Sequence, residues 1–535
     1  MARTTVVSFD NWKNFHDHEQ GPVSKFMMTE LSDDIMSNTL DLYKDAAAEI
    51  QRLLLETHES GERFRAFGAA WSLSSLPYQK DRMHFNEAMN LRWAIRNNWH
   101  DPETAYPDSQ LFLFQCGNTI KEVSALMKRL GKSLPITGES NGQTIAGAIS
   151  TGVHGSAIDQ GGVQDSVVGL NLIIGPNPED VVYVERASQP ALSTAFSQLI
   201  GARHIRDDEI FNAALVGLGA FGFIHGVVLK SVDMFHLQRY TKDMDREEAL
   251  QLAETLDFSN TTLIEEHGHG TRPYFFMFYI NPYRKKGEEF VAEMMFKVPK
   301  PGLEESVTKP IPRVKSFRFK ELTTLLSWYA TNINVGLTSL LGLLQQGIFP
   351  KDDNDGEIGT VAEHFWDSSY QGKVLAVSFG LAQQDIRQAI GILTDLMRTE
   401  GPIPALAGIR FVKGGEATMG FTRFEQTCIM EFAGVPWKGS KHIIPQNEFI
   451  QRLHDRLKAA DIPFTHHWGK MSHWAADDLV NYMYGERLNR WKEARYTLLP
   501  AAFREVFTSE YLDMLGLSGP PSKDGGDDDA PAAIA

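Results

Sequence analysis

The feature that most constrains this chain is a glycine-rich run at residues 138–175. It holds 9 glycines in 38 positions, about three times the share expected from 44 glycines in 535 residues. Backbone without side chains can approach a ligand closely, and a row of exposed amides can bind an anionic diphosphate. The run ends in the apolar, β-branched segment 166–174, which predicts a buried strand. It therefore indicates a ligand-binding loop beside a sheet.

The residues between these glycines favour ligand binding over a simple turn. A tight loop between strands would account for several of the glycines, but not for the Ser, Thr, Asn and His residues among them. We expect His154, inside the run, to shape the backbone or pack against the ligand rather than to act as a base.

The segments around the run alternate between helix and strand. Apolar spacing predicts a helix over residues 36–58 that ends near Gly61, followed by a strand at 63–67. A second unit has a strand at 111–114 and a helix at 120–130. Residues 250–460 contain short aromatic runs and a helix near 384–398, which is typical of an antiparallel sheet backed by helices.

Composition and charge exclude several classes of protein. The chain has 52 Lys and Arg against 68 Asp and Glu, a net charge of −16 that repels nucleic acid. Cys116 and Cys428 form neither a disulfide framework nor a zinc signature, and the N-terminus lacks a signal-peptide core. The apolar segment 335–344 is too short to span a bilayer and is expected to be a buried helix. We expect a cytoplasmic protein.

Two further motifs have simpler explanations. Gly217, Gly219 and Gly222 match the GxGxxG pattern of dinucleotide sites, but a β-rich segment follows where that pattern requires a helix. These glycines therefore predict a turn into a strand. The histidines near residues 267–269 and 466–467 lack the further ligands that a metal site needs, so no metal is expected.

Three segments resemble the FAD-binding domain of the vanillyl-alcohol-oxidase/PCMH flavoproteins (VAO family). Residues 138–157 are similar to the second FAD-binding segment, residues 65–72 to the first flavin loop, and residues 215–224 to the adenine-side segment. The resemblance implies FAD and a small-molecule substrate. The implied FAD-binding residues are Phe67, Gly68, Ala69, Ala70, Trp71, Ser72, Gly138, Gly142, Thr144, Gly147, Ser150, Thr151, Gly152, His154, Gly155, Ser156, Gly219, Gly222, Ile224 and Lys470.

The C-terminal half resembles the aldonolactone oxidase and alditol oxidase branch of that family. His467 to Lys470 (HWGK) matches a branch motif, and residues 407–410 and 428–432 resemble its ExR strand and the next strand. The implied fold is α+β: a two-subdomain PCMH-type FAD-binding domain plus a cap domain with an antiparallel sheet flanked by helices. The expected divisions are 1–235 for FAD binding, 236–460 for the cap, 461–517 returning to the FAD domain, and a disordered tail at 518–535.

Two departures from the family pattern change the expectation. Many relatives tether FAD to a histidine in the first loop, where this chain has Trp71, and no cysteine lies in residues 138–147. We therefore expect noncovalent FAD. Gly408 replaces the glutamate of the ExR strand, so the carboxylate that would hold Arg410 is missing and a polyol or aldonolactone substrate is in doubt.

Four residues are the candidates for catalysis. Hydride transfer to flavin N5 builds negative charge on the ring, which the fixed cations Lys470 and Arg410 would stabilise. Glu431 lies between apolar neighbours on a strand and is the expected base, although a cap-domain ion pair is the alternative. His467 is a further candidate base.

The sequence thus predicts an FAD-dependent oxidoreductase that oxidises the CH–OH group of an alcohol, polyol or lactone. The electrons would pass to O2 or another acceptor. One alternative keeps FAD and acts on a C–C or C–N bond, or without net oxidation. Another is a degenerate flavin-binding scaffold, against which Arg410 and Lys470 argue. The sequence does not predict the oligomeric state.

Overall fold

The computed structural model describes residues 2–31, 38–284, 289–300, 328–329, 356–365, 374–401, 403–437, 439, 444–475 and 478–522. The strands in these ranges, in chain order, are β1 Arg3–Lys13, β2 Gln20–Glu30, β3 Phe64–Phe67, β4 Arg82–Phe85, β5 Arg92–Ala94, β6 Leu111–Gln115, β7 Lys132–Ser133, β8 Val167–Ile173, β9 Val181–Glu185, β10 Arg203–Arg206, β11 Phe223–Lys230, β12 Val232–Asp233, β13 His236–Met244, β14 Phe275–Ile280, β15 Phe290–Val298, β16 Glu357–Gly359, β17 Leu375–Ala382, β18 Ala405–Lys413, β19 Gln426–Gly434 and β20 Phe464–His466.

The helices in the same ranges are α1 Thr39–Glu59, α2 Ile120–Arg129, α3 Ile145–Thr151, α4 Thr194–Leu199, α5 Asp208–Leu215, α6 Arg246–Thr255, α7 Val361–His364, α8 Ile386–Glu400, α9 Gln446–Ala459, α10 Leu479–Tyr484, α11 Glu486–Leu498 and α12 Glu510–Met514.

Two sheets form the N-terminal half. The first has the order β1-β2-β4-β3, in which β1 and β2 make an antiparallel hairpin and the other pairs are parallel. The second has the order β10-β9-β8-β11-β6-β5 and is antiparallel except between β10 and β9. Its central strand β8 is buried along its whole length, as its β-branched sequence predicts. Helix α1 packs on β8, where the Tyr43 hydroxyl donates to the Asn171 side chain at 2.7 Å.

One eight-stranded antiparallel sheet forms the cap. Its order is β16-β13-β15-β14-β18-β19-β17-β20. Helices α8 and α9 pack against each other, and each buries a continuous apolar stripe that the helical spacing of its sequence supplies. The C-terminal helix α11 packs on α5 of the FAD half, and Arg495 Nε donates to the Ala220 carbonyl at 2.9 Å.

The predicted α+β class is confirmed. Helix α1 runs over Thr39–Glu59 where 36–58 was expected, and Gly61 follows it with φ of +66°. The GxGxxG glycines form a turn into β11. The last cap strand, Phe464–His466, lies beyond the expected cap boundary at residue 460, because it pairs with β17. Segment 335–344 and residues 523–535 lie outside the described residues.

Candidate active site

A large cavity lies between the FAD-binding half and the cap sheet. Its volume is about 820 Å³. Its wall combines the three segments that resemble flavin-binding loops with the edges of β17, β18 and β19 and with Lys470. The predicted site residues that line it are Phe67, Gly68, Ala69, Ala70, Trp71, Ser72, Gly138, Thr144, Gly147, Ser150, Thr151, His154, Gly219, Gly222, Ile224, Arg410, Glu431, His467 and Lys470.

The first two loops meet at a contact that only glycine permits. A Cβ atom added at Gly68 would lie 1.9 Å from Oγ1 of Thr144. The Thr144 side chain also caps helix α3 by accepting from the Gly147 amide at 3.4 Å. Ala70, at the tip of the first loop, has φ of +54°, a conformation that small residues adopt most readily. These contacts bring the two loops together along one side of the cavity.

Four predicted cofactor-binding residues do not line the cavity, and each has a structural role nearby. Gly152 ends helix α3 in the left-handed conformation, with φ of +75°. A Cβ at Gly155 would lie 2.6 Å from the Thr137 carbonyl, and one at Gly142 would lie 2.5 Å from the indole of Trp71. Ser156 is buried and accepts from the Phe411 amide at 3.1 Å. Their contact with FAD stays a prediction.

Trp71 is held in place by the N-terminal hairpin. Its indole stacks on Phe15, with ring centroids 4.9 Å apart, and its other edge lies over Gly142. The Phe15 amide donates to the Ala70 carbonyl at 3.0 Å, and the Asn14 side chain donates to the Ser72 carbonyl at 2.8 Å. His16, in the same turn, lines the cavity. The segment before α1 is therefore part of the site.

The cap sheet supplies a buried cluster of charges. Arg410 on β18 donates from Nε to Glu431 on β19 at 2.5 Å and from Nη2 to Glu139 at 2.7 Å. Lys470 Nζ lies 2.7 Å from the other oxygen of Glu431 and 2.8 Å from Oγ of Ser378. Gly408 pairs directly with Glu431 across the sheet. The carboxylate absent from position 408 is thus replaced by one from the neighbouring strand.

Electrostatics set the protonation of the cluster. Although burial opposes ionisation of Glu431, the charges of Arg410 and Lys470 hold the pKa of its carboxyl well below the ordinary value. Burial, with Glu431 and Glu139 close by, leaves the pKa of Arg410 above its ordinary value, because the two carboxylates outweigh desolvation. A carboxylate that is stabilised between two cations is a weak proton acceptor, which disfavours the expected role of Glu431 as base.

Two histidines beside the cluster are neutral. Burial and the charge of Lys470 lower the pKa of His154 to about 3 and that of His467 well below the ordinary value. His154 Nδ1 lies 3.0 Å from the Gly155 carbonyl, which assigns its proton to Nδ1 and leaves Nε2 as an acceptor. His467 Nδ1 accepts from the Gly469 amide at 3.0 Å, so its proton is on Nε2.

The cavity fits FAD in shape and charge. Glycines and alanines line both flavin loops, so the wall follows the backbone closely. Beside it, the buried Arg65 guanidinium donates to the Leu76 carbonyl at 2.7 Å and the Leu218 carbonyl at 2.6 Å, while its Nη1 has no hydrogen-bond partner among the described residues. Burial lowers the pKa of Arg65 to about 10. A buried cation bonded to carbonyls favours an anionic group nearby.

Several residues of the site escaped the sequence analysis. Glu139 lies within the glycine-rich run and could have been noticed as its one carboxylate near the ligand residues. Ser378, Arg239 and Tyr279 lie on cap strands and carry no local signal; the last two line the cavity. His16 comes from a hairpin more than fifty positions before the first flavin loop, a contact that only the tertiary fold creates.

Two searches of the described residues gave negative results. They contain no group of three or more His, Cys, Asp or Glu side chains placed to hold a metal ion. No helix among them is both long and apolar enough to cross a membrane.

Sequence comparison finds relatives among lactone oxidases. A Neurospora crassa protein assigned as a D-arabinono-1,4-lactone oxidase is 33% identical over 37% of this chain and 30% of its own length. The D-arabinono-1,4-lactone oxidase of Yarrowia lipolytica is 25% identical over 35% of this chain and 31% of its own. L-gulonolactone oxidase 3 of Arabidopsis thaliana is 23% identical over 76% of this chain and 70% of its own. No family model matches the chain.

Solved structures confirm the fold. A variant of cholesterol oxidase from Brevibacterium sterolicum superposes with a TM-score of 0.62 at 13% identity, covering 95% of this chain and 97% of its own. A VAO-type flavoprotein from Myceliophthora thermophila has a TM-score of 0.55 at 12% identity, covering 90% of this chain and 78% of its own. The matches to the first relatives span about a third of their length or less. The predicted resemblance is therefore confirmed.

Proposed function

We propose that this chain, which has the VAO-type flavoprotein fold and lactone oxidases among its relatives, is an FAD-dependent oxidoreductase acting on a CH–OH group. One observation carries the proposal. A single cavity joins the loops that resemble flavin-binding segments to the buried Arg410–Glu431–Lys470 cluster. Electrons leave to O2 or to another acceptor.

FAD, when bound, supplies a ring nitrogen that takes a hydride from the substrate carbon. The two flavin loops hold it through backbone amides, and Arg65 offsets the charge of its diphosphate. Binding is noncovalent in this proposal, because the indole of Trp71 has no nucleophile for a flavin link. Trp71 instead forms an aromatic wall that Phe15 supports.

Arg410 and Lys470 stabilise the charge that develops as the substrate carbon loses hydride. Both are fixed before reaction by hydrogen bonds to Glu431, so little reorganisation is needed in the transition state. Glu431 acts as a positioning residue in this scheme, since its two carboxylate oxygens hold the two cations.

His154 is the proposed acceptor of the hydroxyl proton. Its neutral imidazole keeps a lone pair on Nε2, whereas His467 carries a proton there. As the carbon–hydrogen bond gives up its electron pair, the hydroxyl oxygen forms a carbonyl and its proton passes to His154. The substrate loses two electrons, and the acceptor that restores the oxidised flavin gains them.

Anaerobic titration tests the proposed function directly. The purified protein is expected to be yellow, and an alcohol or hydroxylactone substrate is expected to remove the visible flavin absorbance without oxygen. Retention of the absorbance with every CH–OH compound, in protein that carries stoichiometric FAD, would contradict the proposal.

A further inference from the structure

The cavity face of the cap sheet carries two rows of side chains with opposite chemistry. Strands β14, β18, β19 and β17 lie side by side, so residues in register form rows across them. Adjacent rows on one face are two residues apart along a strand, which is about 7 Å.

The first row is polar. Tyr279 pairs with Gly408, Gly408 with Glu431, and Glu431 with Ser378. The Ser378 hydroxyl donates to Glu431 at 3.2 Å and accepts from Lys470 at 2.8 Å. All the charged groups proposed to assist the reaction therefore lie at this row or next to it.

The second row is apolar. Leu406 pairs with Ala433, and Ala433 pairs with Ala376. All three line the cavity, where Ala433 is exposed and the other two are partly exposed. Beyond them, Val374, Pro404 and Val435 also line the cavity.

No polar group is available along the second row in the part of the chain that the structure describes. The backbone of Ala433 pairs with strands on both sides, so its amide and carbonyl serve the sheet. The polar side chains in the cavity wall belong to the flavin loops, the N-terminal turn, the polar row and its neighbours. Substrate hydroxyls placed over this row would lose their water without gaining a partner, which is unfavourable.

We infer that the substrate is an alcohol whose hydroxyl carbon reacts at the polar row and whose body is apolar, resting on Leu406, Ala433 and Ala376. This rests on the proposed function and narrows its substrate class. A polyhydroxylated sugar or polyol fits the cavity less well than an aliphatic or alicyclic alcohol of the same length. The reaction converts R–CH2OH to R–CHO: one hydrogen leaves as hydride to the flavin, the hydroxyl proton leaves to His154, and O2 or another acceptor reoxidises the flavin.

The test compares matched probes by anaerobic flavin reduction in the holoenzyme. The probes are 1-butanol, 1-hexanol, 1-octanol and cyclohexanol against sorbitol and D-arabinono-1,4-lactone. Each methylene buried on the apolar row is expected to raise the second-order rate constant of reduction by up to about fourfold. 1-Hexanol is expected to exceed sorbitol, its six-carbon counterpart, by about 10²-fold.

Two isosteric variants test the row itself. Ala433→Val and Ala433→Thr have the same shape and differ by one hydroxyl group, and both suit an exposed strand position. The ratio of the rate constants for 1-hexanol and sorbitol is expected to be roughly tenfold lower in the Thr variant than in the Val variant. FAD content and the thermal midpoint of each variant verify that both fold.

The outcomes separate the inference from the proposed function. Reduction by sorbitol or the lactone at least as fast as by 1-hexanol overturns the inference while leaving the CH–OH oxidoreductase intact. Equal ratios in the two Ala433 variants also overturn it. Reduction by neither class, with FAD bound, contradicts both the inference and the proposed function.

Discussion

At the scale of single residues, the site is an ion-pair network rather than a set of independent groups. The sequence predicts Arg410, Lys470 and Glu431 as a group because of the resemblance, but it assigns Glu431 to proton transfer. The structure shows why that role is disfavoured: both carboxylate oxygens are occupied by cations. It also contradicts the expectation of a free arginine, since Glu139 and Glu431 hold the guanidinium. Such pairing depends on neighbouring strands and has no local sequence signal.

Lys470→Met is expected to slow flavin reduction far more than it lowers FAD content. Loss of one preorganised positive group costs ~3–4 kcal/mol of transition-state stabilisation, or about 10²–10³ in the limiting rate. Rapid-mixing anaerobic reduction at saturating substrate measures this rate. Arg410→Met is expected to behave in the same way, and unchanged limiting rates in both variants would remove these cations from the mechanism.

Glu431→Gln distinguishes a positioning residue from a base. If Glu431 positions the cations, the limiting rate of reduction falls, but the shape of its pH profile between pH 6 and 9 is kept. Ser378→Ala is the matched control, since it removes one hydrogen bond to Lys470 and leaves the carboxylate. A pH dependence that disappears only in Glu431→Gln would show that this carboxylate accepts the proton after all.

Noncovalent FAD is tested by acid precipitation of the protein. The yellow colour is expected in the supernatant, because Trp71 offers no nucleophile. Colour that stays in the pellet would contradict this. His16→Ala would then show whether the neighbouring histidine, whose ring centroid lies 6.4 Å from that of Trp71, forms the link.

At the scale of elements, the sequence predicts interiors better than connections. Apolar periodicity locates α1, α2, α8 and β8 to within a few residues, because burial of one face determines them. The hairpin β1–β2 was not predicted, although it supports the first flavin loop. Its strands are half exposed and carry no strong pattern, and its partner strand β4 lies far along the chain. Contacts of this kind are fixed by topology.

Gly142→Ala tests the contact between the second loop and Trp71. A methyl group there would lie 2.5 Å from the indole and displace it, so the dissociation constant of FAD is expected to rise about tenfold or more. Fluorescence titration of the apoprotein with FAD measures the change. Gly391→Ala is the control, since it lies in helix α8 with no atom within 4 Å of the added methyl. That variant is expected to keep FAD affinity and gain ~0.5–1 kcal/mol of stability.

At the scale of the whole molecule, buried neutral histidines couple folding to pH. Burial lowers the pKa of His84 and of His225 to about 4 in the FAD-binding half. Between pH 6.5 and about 4 the unfolded chain therefore binds more protons than the folded one. The contribution of each histidine is fully present above pH 6.5 and is lost as the pH falls towards 4.

Urea unfolding of the FAD-loaded protein at pH 7.5 and pH 5.5 measures this coupling. The free energy of unfolding is expected to fall with pH by roughly 1 kcal/mol per pH unit for each such histidine. His225→Gln is expected to reduce the slope by about one such contribution, whereas His269→Gln, at an exposed position, leaves it unchanged. An equal slope in His225→Gln would remove this residue from the account.

The central claim is that the cavity performs two-electron oxidation of a CH–OH group on bound FAD. A single-turnover experiment tests it most directly: FAD-loaded protein is mixed without oxygen with excess 1-hexanol, and aldehyde and oxidised flavin are both quantified. The account predicts loss of the flavin absorbance with one aldehyde formed per FAD, and recovery of the absorbance on adding an electron acceptor. Full FAD occupancy with no aldehyde and no loss of absorbance, from 1-hexanol or from any hydroxylactone or polyol, would contradict it.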